Sequence, residues 1–168
     1  MKYQQLFTEE EWTTLESSVL WVFEAIAKAD GKRDIKEWEA MSIIHRRSDY
    51  MQNPFAREVL ESFFYNMDHI HALFKEDDLD VIEGFAKIPY IIDDKIPNDV
   101  AVGFKKSLLA IGTYIANASG EMGSSKICDE EAEALKEISD NLGLTDEEIR
   151  SKPTISSIVE SLFKARAL

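Results

Sequence analysis

Apolar residues recur at intervals of three and four along nearly the whole chain, and no run alternates between apolar and polar residues as a strand would. Side chains three or four positions apart lie on one face of a helix, so this periodicity predicts an all-α protein. We expect a compact bundle of about seven to eight helices. Because no Gly/Ser-rich or Pro-rich linker divides the sequence, residues 1–168 are expected to form a single domain.

Capping residues mark the beginnings of several helices. Thr8 precedes Glu11 by three positions, which is the spacing of a capping box. Asn53 followed by Pro54 predicts an N-cap with proline at the first helical position. The helix that begins there is expected to continue to Phe74 and to be the central one.

Three finer expectations concern the helices around this central one. A second helix is expected over residues 35–48, with Trp38 facing inward. An acidic helix is expected to begin near Asp77. Because proline lacks an amide donor and clashes with the preceding turn, that helix is expected to end or kink near Pro89.

The charge balance narrows the classes of partner. The chain has 32 acidic and 19 basic residues, a formal net charge of −13. Such an excess repels phosphate backbones and anionic lipid surfaces, which argues against nucleic acid and membrane and favours cations and basic protein surfaces. The longest weakly polar stretch, residues 107–118, is too short to cross a bilayer.

The N-terminal sequence and the cysteine content indicate a compartment. Cys128 is the one cysteine, so no internal disulfide can form. The first residues contain no apolar signal core. We therefore expect a cytoplasmic protein.

Two stretches of the sequence follow one plan. Residues 29–31 (Ala-Asp-Gly) match residues 118–120 (Ala-Ser-Gly), and residues 34–41 match residues 128–135. Both copies begin where an apolar helix ends, so the sequence predicts a duplicated helix-loop-helix. Two related hairpins of this kind often pack about a pseudo-twofold axis.

The two loops do not have the ligand pattern of EF-hands. A calcium loop needs oxygen ligands at positions 1 and 3, glycine at 6 and glutamate at 12. With Gly31 at position 6, the first and third positions are Ile26 and Lys28. With Gly120 at position 6, the first position is Ile115 and the twelfth is Lys126. EF-hand calcium binding is therefore rejected for both loops.

The duplicated plan resembles the TerB-like family, the helical domain of bacterial tellurite-resistance and related stress-response systems. In that family a helix ends in a stretch similar to Ala-Asp-Gly, and an acidic stretch with a glutamate opens the next helix. The resemblance covers residues 12–149, with two departures: Arg33 stands in place of an aliphatic residue, and Ser119 in place of the second aspartate.

The resemblance implies a cytoplasmic, non-catalytic domain that binds metal ions through acidic residues and works with other stress-response proteins. A divalent metal ion is the cofactor it implies. Its candidate ligands are Asp30, Asp34, Glu37, Asp129, Glu130 and Glu131.

Helix capping offers an alternative explanation for most of these acids. Asp34 and Glu37 are spaced as a capping box, and Cys128 and Glu131 hold the equivalent positions. Acids in the first turn after Cys128 also complement the helix dipole. Asp30 differs, because a negative charge at a helix C-terminus is unfavourable unless a nearby lysine, an arginine or a metal ion offsets it.

No enzyme motif is present in the sequence. It contains no phosphate-binding loop, nucleophile elbow or His-Glu-x-x-His pair, so catalysis is not expected. Two functions remain: a metal-binding stress-response domain, and a protein-interaction module whose acidic face docks a basic partner without a specific metal.

Overall fold

The computed structural model describes residues 2–29, 31, 35–119 and 127–164, and these ranges contain helices and no strand. The prediction of an all-α protein is therefore confirmed. Two short 3-10 helices, Tyr3–Leu6 and Ser48–Tyr50, accompany the α-helices. The α-helices are α1 (Glu9–Ala29), α2 (Ile35–Arg46), α3 (Pro54–Tyr65), α4 (Met67–Glu76), α5 (Val81–Phe85), α6 (Lys87–Ile92), α7 (Asn98–Ser119), α8 (Asp129–Asn141), α9 (Asp146–Arg150) and α10 (Ile155–Lys164).

The two longest helices, α1 and α7, form the centre of the molecule. They pack against each other, while α3, α4, α5 and α8 contact α1, and α2, α3, α8 and α10 contact α7. The apolar residues that recur at three- and four-residue spacing are buried in both helices. These buried residues are Trp12, Leu15, Val19, Phe23 and Ile26 on α1, and Phe104, Leu108, Ile111 and Ile115 on α7.

The hairpins α1–α2 and α7–α8 are packed crosswise. Helix α2 packs mainly against α7, and α8 packs against both α1 and α7. Gly112 allows this close approach, because a Cβ atom there would lie 2.9 Å from Leu135 Cδ2 and 3.1 Å from Val22 Cγ1. The second helix of each hairpin therefore covers part of the first helix of the other hairpin.

Predicted capping residues have the expected hydrogen bonds. The Thr8 amide donates to Glu11 Oε2 at 2.8 Å, and the Glu11 amide donates to Thr8 Oγ1 at 3.2 Å. The Ala56 amide donates to Asn53 Oδ1 at 2.8 Å. Gly31, at the end of α1, has a φ of 71°, a left-handed conformation that glycine adopts without a Cβ clash.

The helix expected to run from Pro54 to Phe74 is interrupted at Asn66, so this prediction is wrong. Asn66 leaves the helical geometry, and its side chain donates to Glu16 Oε1 at 2.8 Å, where Ser62 Oγ also donates at 2.5 Å. The apolar spacing continues across the break, which is why the sequence reads as one helix. The central position belongs to α1 and α7 instead.

Two other expectations also need correction. Helix α2 ends at Arg46 rather than near residue 48, and Asp77 closes α4 rather than opening a helix. The next helix begins at Val81, where Asp80 accepts a hydrogen bond from the Ile82 amide at 2.9 Å. The expectation of an end or kink near Pro89 is confirmed, because α5 ends at Phe85 and Pro89 lies in the first turn of the separate helix α6.

Trp38 faces the core as expected, but 42% of its surface stays exposed. Its ring packs on Phe23 with centroids 4.6 Å apart and lies 6.0 Å from the His71 ring. It borders an apolar cavity of about 180 Å³ among α1, α2, α3 and α4. Helical spacing places Trp38 near the core but cannot show that α2 and α4 leave this cavity open.

Candidate functional site

The predicted metal ligands are only partly within the described chain. Asp30 and Asp34 lie outside the described residues, as does most of the loop between α7 and α8. Within residues 2–29, 31, 35–119 and 127–164, no group of three or more His, Cys, Asp or Glu side chains is arranged to hold a metal ion.

Glu37 and Glu131 occupy the same place in their helices. Each is the third residue of its helix, α2 or α8, and the two are 0% and 3% exposed. Burying a carboxylate is unfavourable without hydrogen bonds or a positive partner. For Glu131, part of that compensation is a hydrogen bond to Oε2 from the Cys128 amide at 2.9 Å, so the capping interpretation is confirmed there.

The other two acids at the start of α8 face solvent. Asp129 and Glu130 are both exposed. The pKa of Glu130 is lowered because its carboxylate accepts hydrogen bonds from its own backbone amide and from the Cys128 thiol. Carboxylate oxygens of this kind are ligands that hard divalent cations prefer, so the residues fit such a cation in chemical type.

Cys128 does not have the properties of a reactive thiol. Burial raises the pKa of Cys128 above the ordinary value, a hydrogen bond from the Glu131 amide partly offsets this, and the neighbouring carboxylates of Glu131 and Glu130 raise the pKa further. The thiolate is the nucleophilic and metal-binding form, so its population is small at neutral pH. The geometry places Cys128 at the N-cap of α8.

A groove that sequence reasoning missed runs between the first half of α1 and helix α4. It has a volume of about 870 Å³, within the range of known binding clefts. We call it the acidic groove. It is lined by Thr8, Glu9, Glu10, Thr13, Thr14, Ser17, Trp21, His69, Leu73, Phe74, Glu76, Asp77, Leu79 and Lys87.

Four carboxylates in this groove have no partner among the described residues. Glu9, Glu10, Glu76 and Asp77 are exposed, and none forms an ion pair or a side-chain hydrogen bond in the part of the chain that the structure describes. Glu76 and Asp77 also lie at the C-terminus of α4, where negative charge opposes the helix dipole. The fold therefore gains little from these two acids.

The acidic groove joins residues that are distant in sequence. Glu9 and Glu10 stand in the first turn of α1, and Glu76 and Asp77 end α4. Both acidic pairs are visible in the sequence. Each pair, taken by itself, is accounted for as solvent-exposed acids at a helix terminus. Only the packing of α4 on α1 brings the two pairs to one groove.

No helix among the described residues combines the length and the apolar character needed to cross a membrane.

Sequence comparison with known proteins identifies a related protein. No family model matches the chain, and no solved structure matches it. The chain is 31% identical over 127 residues to "Uncharacterized protein ORF11'" of Methanothermobacter thermautotrophicus, a match that covers 71% of this chain and 81% of the relative. At this identity and coverage, the chain belongs to the same protein family as ORF11'.

Proposed function

We propose that this protein is a non-catalytic, TerB-like stress-response domain that binds a metal cation through its acidic interhelical loops. The observation that carries the proposal is the equivalent placement of Glu37 and Glu131, each buried in the first turn of the second helix of its hairpin. The crosswise packing of the α1–α2 and α7–α8 hairpins supports a duplicated plan.

In this proposal the two loops supply carboxylate oxygens to a hard divalent cation. Asp30, Asp34 and Glu37 belong to the first loop and the helix after it. Asp129, Glu130 and Glu131 begin the helix after the second. The exposure of Asp129 and Glu130 leaves their carboxylates accessible to a cation from solvent.

The test is a thermal unfolding series with magnesium, calcium, manganese or zinc, each compared with sodium chloride at matched ionic strength. A cation that binds the native state at a hundredfold excess over its Kd should stabilise it by about 2.7 kcal/mol. Metal analysis of protein purified without metal-affinity resin should find the same ion.

Two pairs of substitutions separate the loops. Asp30→Asn with Glu37→Gln should abolish the thermal shift if the first loop binds the cation. Because Glu37 is completely buried, that variant can also lose stability, so Asp129→Asn with Glu130→Gln tests the second loop with exposed residues. Equal stabilisation by sodium chloride, or an unchanged shift in both variants, would contradict metal binding.

Protein binding through the acidic face is the second candidate function. The four unpartnered carboxylates of the acidic groove favour it, because a basic partner would complement them. Binding of this kind should weaken with salt and be unaffected by a chelator, whereas a metal-dependent function should be lost with the chelator.

A further inference from the structure

We propose that the acidic groove binds an amphipathic, basic helical segment of a partner protein, with the apolar side chains of the segment on the groove floor and its lysines or arginines against the walls. This inference rests on the second candidate function, protein binding through the acidic face, and does not involve the metal.

The groove floor offers apolar surface. Leu73, Phe74 and Leu79 line it and are half-buried, and the edge of the Trp21 ring lies among them. Burying such surface against a partner is favourable, at about 25 cal/mol for each Å² removed from water. On α4, Leu73 and Phe74 are only half-buried, so part of their apolar surface is available to a partner.

Two of the hydroxyls on the α1 side of the groove, those of Thr14 and Ser17, are already used within the helix. The Thr14 hydroxyl donates to the Glu10 carbonyl at 2.9 Å, and the Ser17 hydroxyl donates to the Thr13 carbonyl at 2.8 Å. Because these hydroxyl hydrogens are already used within α1, this wall suits apolar side chains and the stems of long basic side chains. The exposed carboxylates in the lining make the groove a poor surface for an anionic ligand.

The acidic residues of the groove come from two helix termini. Glu9 and Glu10 come from the beginning of α1, and Glu76 and Asp77 from the end of α4, against one lysine, Lys87, among the lining residues. A groove that combines apolar surface with two acidic pairs complements an apolar stripe accompanied by positive charges. That is the surface of a basic amphipathic helix.

The secondary structure of the walls favours a helical occupant over an extended one. The helical segments that line the groove, α1, α4 and α6, hold their amides and carbonyls within helices, so they present no strand edge on which a partner could add a strand. Specificity must then come from side chains, as in the helix-in-groove mode.

The experiment uses a fluorescein-labelled peptide of about 15 leucine and lysine residues, in an order that gives one apolar stripe when helical. A scrambled peptide of the same composition is the control ligand. We expect anisotropy titrations of the full chain, with chelator present, to give at least about tenfold tighter binding for the amphipathic peptide. Binding should weaken as sodium chloride rises from about 0.05 M to about 0.3 M.

A charge-matched pair of variants locates the binding. The groove variant carries Glu9→Gln, Glu10→Gln, Glu76→Gln and Asp77→Asn. The control variant removes the same charge at exposed acids elsewhere, through Glu39→Gln, Asp94→Asn, Glu133→Gln and Glu137→Gln. The groove variant should bind about tenfold more weakly, and the control variant should stay within about threefold of the unchanged protein.

A third variant, Leu73→Ser with Leu79→Ser, tests the floor without changing charge. It should lose affinity for the amphipathic peptide while its affinity for the scrambled peptide stays the same. Circular dichroism should show that it keeps its helix content.

Four results would overturn the inference. These are no peptide binding, equal binding of the scrambled peptide, equal losses in the groove and control variants, or an unchanged affinity in the floor variant. If a cellular partner binds in a salt-sensitive and chelator-insensitive way while the groove variant has no effect on it, protein binding stands and this groove is the wrong place.

Discussion

Cys128 occupies a helix-capping position for which a hydroxyl is better suited. Its amide donates to Glu131, as the Thr145 amide donates to Glu148 Oε2 at 2.8 Å. Both capping boxes also have the reverse bond to the N-cap side chain, which at Thr145 runs from the Glu148 amide to the hydroxyl at 3.2 Å. A thiol is a weak acceptor, so one half of the reciprocal pair is weaker at α8.

Cys128→Ser should therefore stabilise the protein. We expect the free energy of unfolding to rise by about 0.5–1 kcal/mol in urea denaturation, because serine is among the favoured N-cap residues. The matched control is Thr145→Cys, which should lower it by a similar amount. A serine variant that is no more stable than the unchanged protein would show that the thiol already caps α8 fully.

Glu11 shows how a single ion pair can make stability depend on pH. Lys95 Nζ lies 2.6 Å from Glu11 Oε1 and 2.5 Å from Oε2. The hydrogen bond from Lys95 is the largest cause that lowers the pKa of Glu11 below its ordinary value of 4.5, and the Thr8 amide lowers it further. A carboxyl with a lowered pKa stabilises the fold above its unfolded pKa and loses that contribution as the pH falls through the folded value.

Lys95→Met should remove most of this contribution. At neutral pH the variant should be less stable than the unchanged protein. The difference in free energy of unfolding should shrink as the pH falls below 4.5, because Glu11 becomes protonated in both proteins. Urea denaturation of both proteins at pH values on either side of 4.5 measures this difference in free energy of unfolding. A difference that does not change with pH would contradict the argument.

At the scale of elements, a buried lysine fixes the short helix α9. Lys106, 2% exposed on α7, donates to the Glu148 carbonyl at 2.8 Å, the Ser151 carbonyl at 2.6 Å and Ser151 Oγ at 3.0 Å. The three ammonium hydrogens thus match three acceptors at the end of α9. Burial lowers the pKa of Lys106 below its ordinary value.

Lys106→Met should keep the buried stem and remove the donors. We expect a loss of about 1–3 kcal/mol in the free energy of unfolding, because the acceptors at the end of α9 lose their partner. Lys105→Met is the control, since the Asp93 partner of Lys105 is 45% exposed and water can replace the lysine. An equal loss in both variants would contradict a special role for Lys106.

A helix can be predicted from the sequence when the residues that determine its ends and its buried face are close together in the chain. Helices with a local cap and an uninterrupted stripe, such as α1, are clear from sequence because the cap and the stripe are properties of neighbouring residues. The break at Asn66 could not be predicted, because its side chain bonds to Glu16, which is 50 residues away. The exposure of Trp38 likewise depends on the separation between α2 and α4.

At the scale of the whole molecule, the same reasoning applies to the candidate sites. The cap at Glu131 could be predicted because Cys128 is three residues away. The acidic groove could not, because its two acidic pairs come together only when α4 packs on α1. Net charge indicates that a basic partner is favoured, but it does not say which of the 32 acids would meet it.

The crosswise packing of the two hairpins also determines how the chain would respond to being cut. Residues 77–80 connect α4 to α5 without helical structure, and Asp77, Asp78 and Asp80 are exposed, so a protease has access there. The resulting fragments would each contain one central helix, α1 or α7, and each would bury the other's apolar face. The halves should thus remain together as a nicked, non-covalent complex and separate only on denaturation.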